Sequence, residues 1–188
     1  MYDIAIVGAG PAGASAGIFA AKAGKKTVMF DHGKSVTKRA LIKNHYGLDD
    51  IEGPEMIKIG QNQATKFGAE LKHEQVTNIT KGNHSFTIET ENATYEAKHV
   101  ILATGMVVDL AEKIGIATKP GSEPRIKKVL DLNDKGETSI KGIWGAGTVA
   151  DVSMHTIITA GDGAKVAINI ISELNNERYV DHDMIPKS

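Results

Sequence analysis

The chain has 188 residues, no cysteine, and 22 Lys+Arg against 23 Asp+Glu for a formal net charge of −1. That length suits one domain able to fold on its own core. Without thiols, this chain can form no disulfide, thiolate metal site, iron–sulfur cluster, cysteine nucleophile or redox dithiol. Near-neutral charge advertises no polyanionic partner, and no apolar run approaches the ~18 residues of a membrane span. The start Met1–Val7 lacks the basic region and cleavage site of a signal peptide. The expectation is a cytoplasmic protein with neither nucleic acid nor membrane as partner.

In chain order, residues 3–8 (Asp3-Ile4-Ala5-Ile6-Val7-Gly8) read as a short strand buried on both faces. Gly8-Ala9-Gly10-Pro11-Ala12-Gly13 then opens an Ala-rich helix from Pro11 to Ala23, stopped at Gly24. Thr27–Phe30 is a second strand, ending at Asp31. A polar, irregular stretch follows to residue 50. A helix is expected from Gly53-Pro54 to Gly68, with Met56, Gly60, Ala64 and Phe67 on one face.

Ala69–Thr80 reads as one strand, or two broken near Gln75. Ser85–Glu89 and Ala93–Ala97 alternate polar and apolar around Asn92, as in an antiparallel meander with one wet face. His99–Leu102 is a buried strand ending in Ala103-Thr104-Gly105. Residues 106–141 are the least regular part. Gly142–Gly147 is an apolar strand opening into glycine, and Trp144 within it reads as core. A last helix spans about Thr156–Leu174, with Ile157, Ala160, Ala164, Ala167, Ile168 and Ile171 on one face.

The glycine loop carries the chemistry. Gly8-x-Gly10-x-x-Gly13 follows a strand and opens a helix, the context that gives this short pattern meaning. Gly8 permits the tight turn, Gly10 lets a diphosphate approach the backbone, and Gly13 lets the helix pack close to the sheet, as Gly17 can one turn later. Unpaired N–H groups and the helix dipole favour an anion there. Asp31, 18 residues after Gly13, ends the second strand, where a carboxylate can accept both hydroxyls of an adenosine ribose. These residues predict a dinucleotide and fit NAD, NADP or FAD alike.

The downstream pattern separates them. A meander before Ala103-Thr104-Gly105, then a late glycine-rich strand and a final helix, resembles the FAD domain of the two-dinucleotide disulfide oxidoreductases. The resemblance is nearest to the low-molecular-weight thioredoxin reductases and runs over nearly the whole chain. Asn44-His45-Tyr46-Gly47 with Gly53-Pro54 is similar to the family's Asn-(aromatic)-Pro-Gly…Gly-Pro segment beside the flavin. Thr138-Ser139-Ile140-x-Gly142-Ile143-Trp144-Gly145-Ala146-Gly147 resembles its Thr-Ser-x-x-Gly-x-x-Ala-Ala-Gly-Asp motif. The resemblance implies an α/β, three-layer FAD/NAD(P)-binding (Rossmann-like) domain. Its central parallel sheet would carry helices on one face and an antiparallel β-meander on the other. It implies FAD contacts at Gly8, Gly10, Pro11, Ala12, Gly13, Asp31, His32, Asn44, Val76, Ala103, Thr104, Gly105, Gly147 and Thr148. His155, Thr156 and Ile157 fall where the family's last helix meets the flavin.

Three departures bear on function. Only 32 residues separate Gly105 from Thr138, with no second GxGxxG, so the family's NADPH-binding domain has no room there. The family's redox dithiol belongs to that domain and is absent. Thr148 stands where the family has an acid that binds a ribityl hydroxyl; a neutral hydrogen bond there is worth ~1 kcal/mol and less than a charged one. Asp151 could substitute by reaching back and Asp162 could face the cofactor, but the first reads better as an exposed loop carboxylate and the second as an outward-facing one.

Seven histidines form no metal-binding spacing. His45 and His155 lie near the flavin by resemblance but read as solvent-facing imidazoles, and Lys34–Lys43 and Arg125–Lys128 as solvated basic surface. The expectation is a single FAD-binding domain over 1–188. It would be an oxidoreductase with an external donor or partner, NAD(P)H or a small redox protein, and no disulfide reductase activity of its own. The alternatives are a non-catalytic FAD or nucleotide sensor and a subunit of a larger redox complex. No catalytic residue is assigned, and a homodimer is expected by analogy.

Overall fold

The computed structural model describes residues 1–185; the final residues 186–188 of the expected domain lie outside the described part. Strand β1 (Tyr2–Val7) runs into helix α1 (Pro11–Lys22) and returns as β2 (Thr27–Phe30). A 3-10 turn (Val36–Arg39) leads to the two-residue strands β3 (Leu41–Ile42) and β4 (Ile51–Glu52), which pair antiparallel as a small arm. Helix α2 (Gly53–Lys66) and strand β5 (Glu70–Lys72) follow. Then come β6 (Val76–Lys81), β7 (Phe86–Thr90) and the long β8 (Thr94–Leu102).

The stretch expected to be irregular holds a five-residue helix α3 (Asp109–Lys113) and an antiparallel pair, β9 (Thr118–Pro120) with β10 (Lys128–Leu130). No βαβ unit occupies it. Strand β11 (Ile143–Gly145), a 3-10 turn (Gly147–Ala150) and helix α4 (Thr156–Asn175) complete the fold.

The sheet order is β5-β2-β1-β8-β7-β6, with β11 also on β8. β5, β2, β1, β8 and β11 are mutually parallel, while β6, β7 and the start of β8 form the antiparallel meander. Two strands expected from the sequence, 93–97 and 99–102, are one. Its first half pairs with β7 through Phe86↔Ala97, and its second half pairs on that same edge with β11 through Gly145↔Leu102. A nine-residue strand thus hands its edge from meander to parallel sheet, because Tyr95 to Leu102 offers backbone in one extended run without glycine or proline.

Each face of the sheet has its own core. On one face Ile4, Ile6, Met29, Ile101 and Trp144 pack under α1 and α4. On the other, Ala5, Val7, Val28 and Phe30 meet Val76, Ile79, Phe86 and Ile88 of the meander. This is the expected three-layer architecture, built by period-2 alternation along strands buried on both faces.

Both long helices present a different buried face from the one the sequence suggested. In α2 the buried residues are Gly53, Ile57 and Ala64, while Phe67 is exposed at the C-terminus with the Lys22 ammonium 5.9 Å from its ring centre. In α4 the buried set is Thr159, Gly163, Val166, Ala167, Ile170 and Ile171, and Ile157 points outward. Close approach explains the shift. A Cβ on Gly163 would run into the Ala12 carbonyl, so α4 turns its smallest residue, rather than its most apolar line, toward α1.

Candidate functional site

The carboxyl ends of β1, β2, β8 and β11 converge on the glycine loop, at the edge of the parallel sheet where open α/β sheets receive ligands. Gly8 has φ +102°, and a Cβ there would collide with the Ala103 carbonyl oxygen. The loop is therefore pressed against the Ala103-Thr104-Gly105 turn. A Cβ on Gly13 would collide with the Gly8 carbonyl and crowd Ile6 Cγ2 at 3.2 Å, which fixes how tightly the strand turns into α1. Gly17 meets Met29 of β2 and, at 3.3 Å, Ala64 of α2. Gly10 is different. A Cβ on it would find only Ser35, with Oγ at 3.3 Å, so the space before the helix is open.

Gly10 is also the N-cap of α1. No side chain caps this end, Pro11 occupies the first turn, and the first turn holds no acidic residue. The backbone N–H groups of Ala12 and Gly13 thus have no protein acceptor among the described residues, and the helix dipole is uncompensated by a side chain.

Asp31 follows β2 and is held on both oxygens. Gly33 N–H donates to Oδ1 at 2.9 Å, and Gln61 Nε2 of α2 donates to Oδ2 at 2.9 Å. The same Gln61 nitrogen donates to the Ala9 carbonyl in the glycine loop at 3.1 Å. Gln61 therefore ties the acid to the loop. The sequence reading did not single it out, since a glutamine on a predicted polar helix face carries no motif signal.

Beside Asp31 lies a cleft of about 350 Å³. Gly8, Phe30, His32, Val76, Thr104 and Lys113 are among its lining residues. Val76 is buried and His32 exposed at the mouth. Thr104 Oγ1 donates to the Val107 carbonyl at 2.6 Å, closing the turn over Gly105, whose φ is +70°.

Gly147 brings the late motif to the same place. It has φ +80°, and a Cβ on it would lie 2.7 Å from Ala12 Cβ. Its N–H donates to Asp162 Oδ2 at 2.9 Å. Asp162 thus corrects the outward-facing reading: its side chain is only 10% exposed and grips the glycine turn. Asp151 is a partly exposed loop carboxylate. Its Oδ1 accepts from both Ser122 N–H at 2.8 Å and Ser122 Oγ at 2.9 Å, which binds it to the β9–β10 connection. Thr148 lies partly exposed in the 3-10 turn, with its hydroxyl unpaired among the described residues.

The remaining residues form an exposed rim. Asn44 stands in the loop between β3 and β4, braced by a Lys43–Asp50 ion pair at 3.0 Å, with Tyr46 90% exposed. No side-chain hydrogen bond links Asn44 to the glycine loop among the described residues. His155 caps α4 by backbone only, and Ser153 Oγ and His155 Nδ1 lie 2.8 Å apart. Thr156 opens α4, and Met154, Ile157 and Ile158 make an exposed apolar strip on its first turn. The structure brings together Gly8–Gly13, Asp31, His32, Val76, Ala103–Gly105, Gly147 and Thr148, while Asn44 and His155–Ile157 belong to separate elements.

Comparison with known proteins agrees with this architecture. Residues 2–129 match the family described as pyridine nucleotide-disulphide oxidoreductase. A thioredoxin reductase of Peptoclostridium acidaminophilum is 37% identical over 160 residues, covering 82% of this chain and 50% of its own. A thioredoxin reductase of Helicobacter pylori is 38% identical over 113 residues, 56% of this chain and 36% of its own. The chain spans half or less of the length of these curated relatives. Among solved structures, a thioredoxin reductase from Gloeobacter violaceus superposes with a TM-score of 0.85 at 16% identity, covering 98% of this chain and 99% of that one. The atypical thioredoxin reductase from Desulfovibrio vulgaris Hildenborough gives 0.83 at 19% identity, covering 94% and 99%. At such identities the likeness is one of fold.

Proposed function

The chain belongs to the pyridine nucleotide-disulphide oxidoreductase family, whose members are FAD-binding flavoproteins, and on that premise we propose that it is the FAD-binding part of an oxidoreductase whose electron donor and acceptor lie outside these residues. The open, uncapped N-terminus of α1 beside a braced Asp31 carries this reading. The residues fit the cofactor. Gly10 leaves room for a diphosphate against the N–H groups of Ala12 and Gly13. Asp31 retains free lone pairs on both oxygens for ribose hydroxyls, and the cleft at Val76 and Phe30 suits an adenine ring.

Bound flavin would supply the hydride and electron chemistry. The chain itself contributes binding and orientation. Gln61 keeps the Asp31 carboxylate turned to the loop, Asp162 holds the Gly147 turn against Ala12, and the α4 N-terminus at Thr156 and Ile157 places positive dipole at the rim. Thr148 offers a hydroxyl where a carboxylate would bind more strongly. No cysteine exists in the chain to take electrons onward as a dithiol. In this reading the acceptor lies outside these residues, and the donor is NAD(P)H or a small redox protein. No helix of the described residues is long and apolar enough to cross a membrane, and the proposed setting is the cytoplasm.

An absorbance spectrum tests the reading. Protein incubated with FAD and passed through a desalting column keeps a flavin spectrum, which bleaches with NAD(P)H or a reduced carrier and recovers with an acceptor. Protein that emerges colourless overturns the flavin assignment. A retained flavin that no donor reduces favours the sensor or subunit role over the enzyme.

A further inference from the structure

The other end of the parallel strands holds a second cleft, of about 450 Å³, lined in part by Lys81, His84, Lys98, His99, Lys141 and Glu173. His99 lies opposite Ile4 in the β1–β8 register, whereas Leu102 lies opposite Val7 at the end that feeds the glycine loop. The two clefts thus open at opposite edges of one sheet.

His99 is 8% exposed, and Trp144 Nε1 donates to its Nδ1 at 3.2 Å. An indole nitrogen can only donate, so Nδ1 is the acceptor and the neutral ring carries its proton on Nε2. Burial holds the imidazole below its ordinary 6.5, so at neutral pH it is a fixed neutral donor. No described protein group accepts from Nε2. No fully buried polar side-chain atom lacks a partner, so this N–H is reached from the cleft its ring lines.

The cations around it are only partly committed. Lys98 pairs with Asp3 at 2.8 Å, while Lys81 and Lys141 form no ion pair among the described residues. Glu173, exposed near the end of α4, is the one carboxylate in the lining. A fixed N–H donor on a largely buried ring at the base, reachable from the cleft, and two ammonium groups without ion pairs at the rim form a site suited to an acceptor carrying negative charge.

We propose that this cleft binds a small phosphate-bearing anion, with His99 Nε2–H donating to a phosphate oxygen and Lys81 and Lys141 supplying charge. The geometry is separate from the glycine loop and does not depend on the flavin assignment. Trp144, the single tryptophan, reports on it directly because its indole is bonded to the same imidazole.

Calorimetric titration with inorganic phosphate, against chloride at matched ionic strength, tests the site, with Trp144 emission followed in parallel. The expected result is saturable binding with a change in emission. In Lys81→Ala/Lys141→Ala, two exposed positions, affinity falls by ~10-fold at an unchanged thermal midpoint. Lys141→Glu gives at least the same loss. Tighter binding of glycerol phosphate than of inorganic phosphate marks the ligand as an organic phosphate, and equal binding marks it as free phosphate. Absence of binding beyond chloride overturns the proposal. So does phosphate binding that the double variant leaves intact, since that places the anion elsewhere, as at the glycine loop.

Discussion

Gln61 Nε2 stands 2.9 Å from Asp31 Oδ2 while also donating to the Ala9 carbonyl, so one side chain of α2 couples the acidic end of β2 to the glycine loop. Gln61→Ala leaves Asp31 held by Gly33 alone. FAD affinity is expected to weaken ~3- to 10-fold, the share of one net hydrogen bond, and Asp31→Ala more. Flavin fluorescence titration measures both. Equal affinity in Gln61→Ala and wild type removes Gln61 from the site.

Thr148→Asp should act in the opposite direction. A carboxylate forms charge-assisted bonds worth ~1.5–3 kcal/mol against ~1 for a hydroxyl, so FAD dissociation should slow and affinity rise several-fold. Asp151 is held toward Ser122 through its Oδ1, on the β9–β10 connection. A Thr148→Asp protein that binds FAD no better shows that the ribityl chain does not pass this residue.

Asp162 predicts a stability effect. Asp162→Ala strands the buried Gly147 N–H, at a cost of ~1–3 kcal/mol. Asp162→Asn keeps an acceptor and should recover much of the loss. Urea unfolding of the two variants separates a role for the hydrogen bond from simple loss of packing.

Two glycines of the same helix should respond with opposite sign. A Cβ on Gly163 meets the Ala12 carbonyl, whereas one on Gly161 meets nothing within 4 Å. Gly163→Ala is expected to cost ~1–3 kcal/mol by forcing α1 and α4 apart, and Gly161→Ala to gain ~0.5–1 kcal/mol from helix propensity. Thermal midpoints moving together would contradict the observed helix approach.

His99 sets a pH dependence. Its folded-state pKa is lowered from 6.5 by burial, against the opposing pull of Glu173 and Glu137 and with Lys98 adding to the lowering. Between the folded value and 6.5, the unfolded chain binds the extra proton. Stability contributed here is complete above 6.5 and declines as pH falls toward the folded value. Protonation of Nδ1 would also break the bond from Trp144. Urea midpoints compared at pH 7.5 and 5.5 should show the loss, and His99→Gln should reduce it; a difference unchanged by that variant assigns the effect to other groups.

Much of this was legible in the chain. Glycines at 8, 10 and 13 announce their roles because each answers a local steric demand, and Asp31 follows from its spacing to them. Strand β8 and the helix faces were less legible. Ala93–Ala97 and His99–Leu102 look like two strands because their periodicities differ, and only a sheet that exchanges one neighbour for another along an edge makes them one. The α4 face shifted because Gly163, invisible to hydrophobic periodicity, fits the Ala12 carbonyl better than any larger side chain.

The missing cysteines, the short 105–138 connection and the glycine signature follow from the sequence by itself. They determine a dinucleotide fold without a dithiol, because absent atoms and backbone sterics need no tertiary context. Which carboxylate serves which element was decided only by folding. Asp151 faces Ser122, Asp162 faces Gly147 and Asp31 faces Gln61, each pair far enough apart in the chain that only packing of separate elements joins them. The single tryptophan is the same kind of case. Composition made it core, and the fold alone set its indole against His99 at the far end of the sheet.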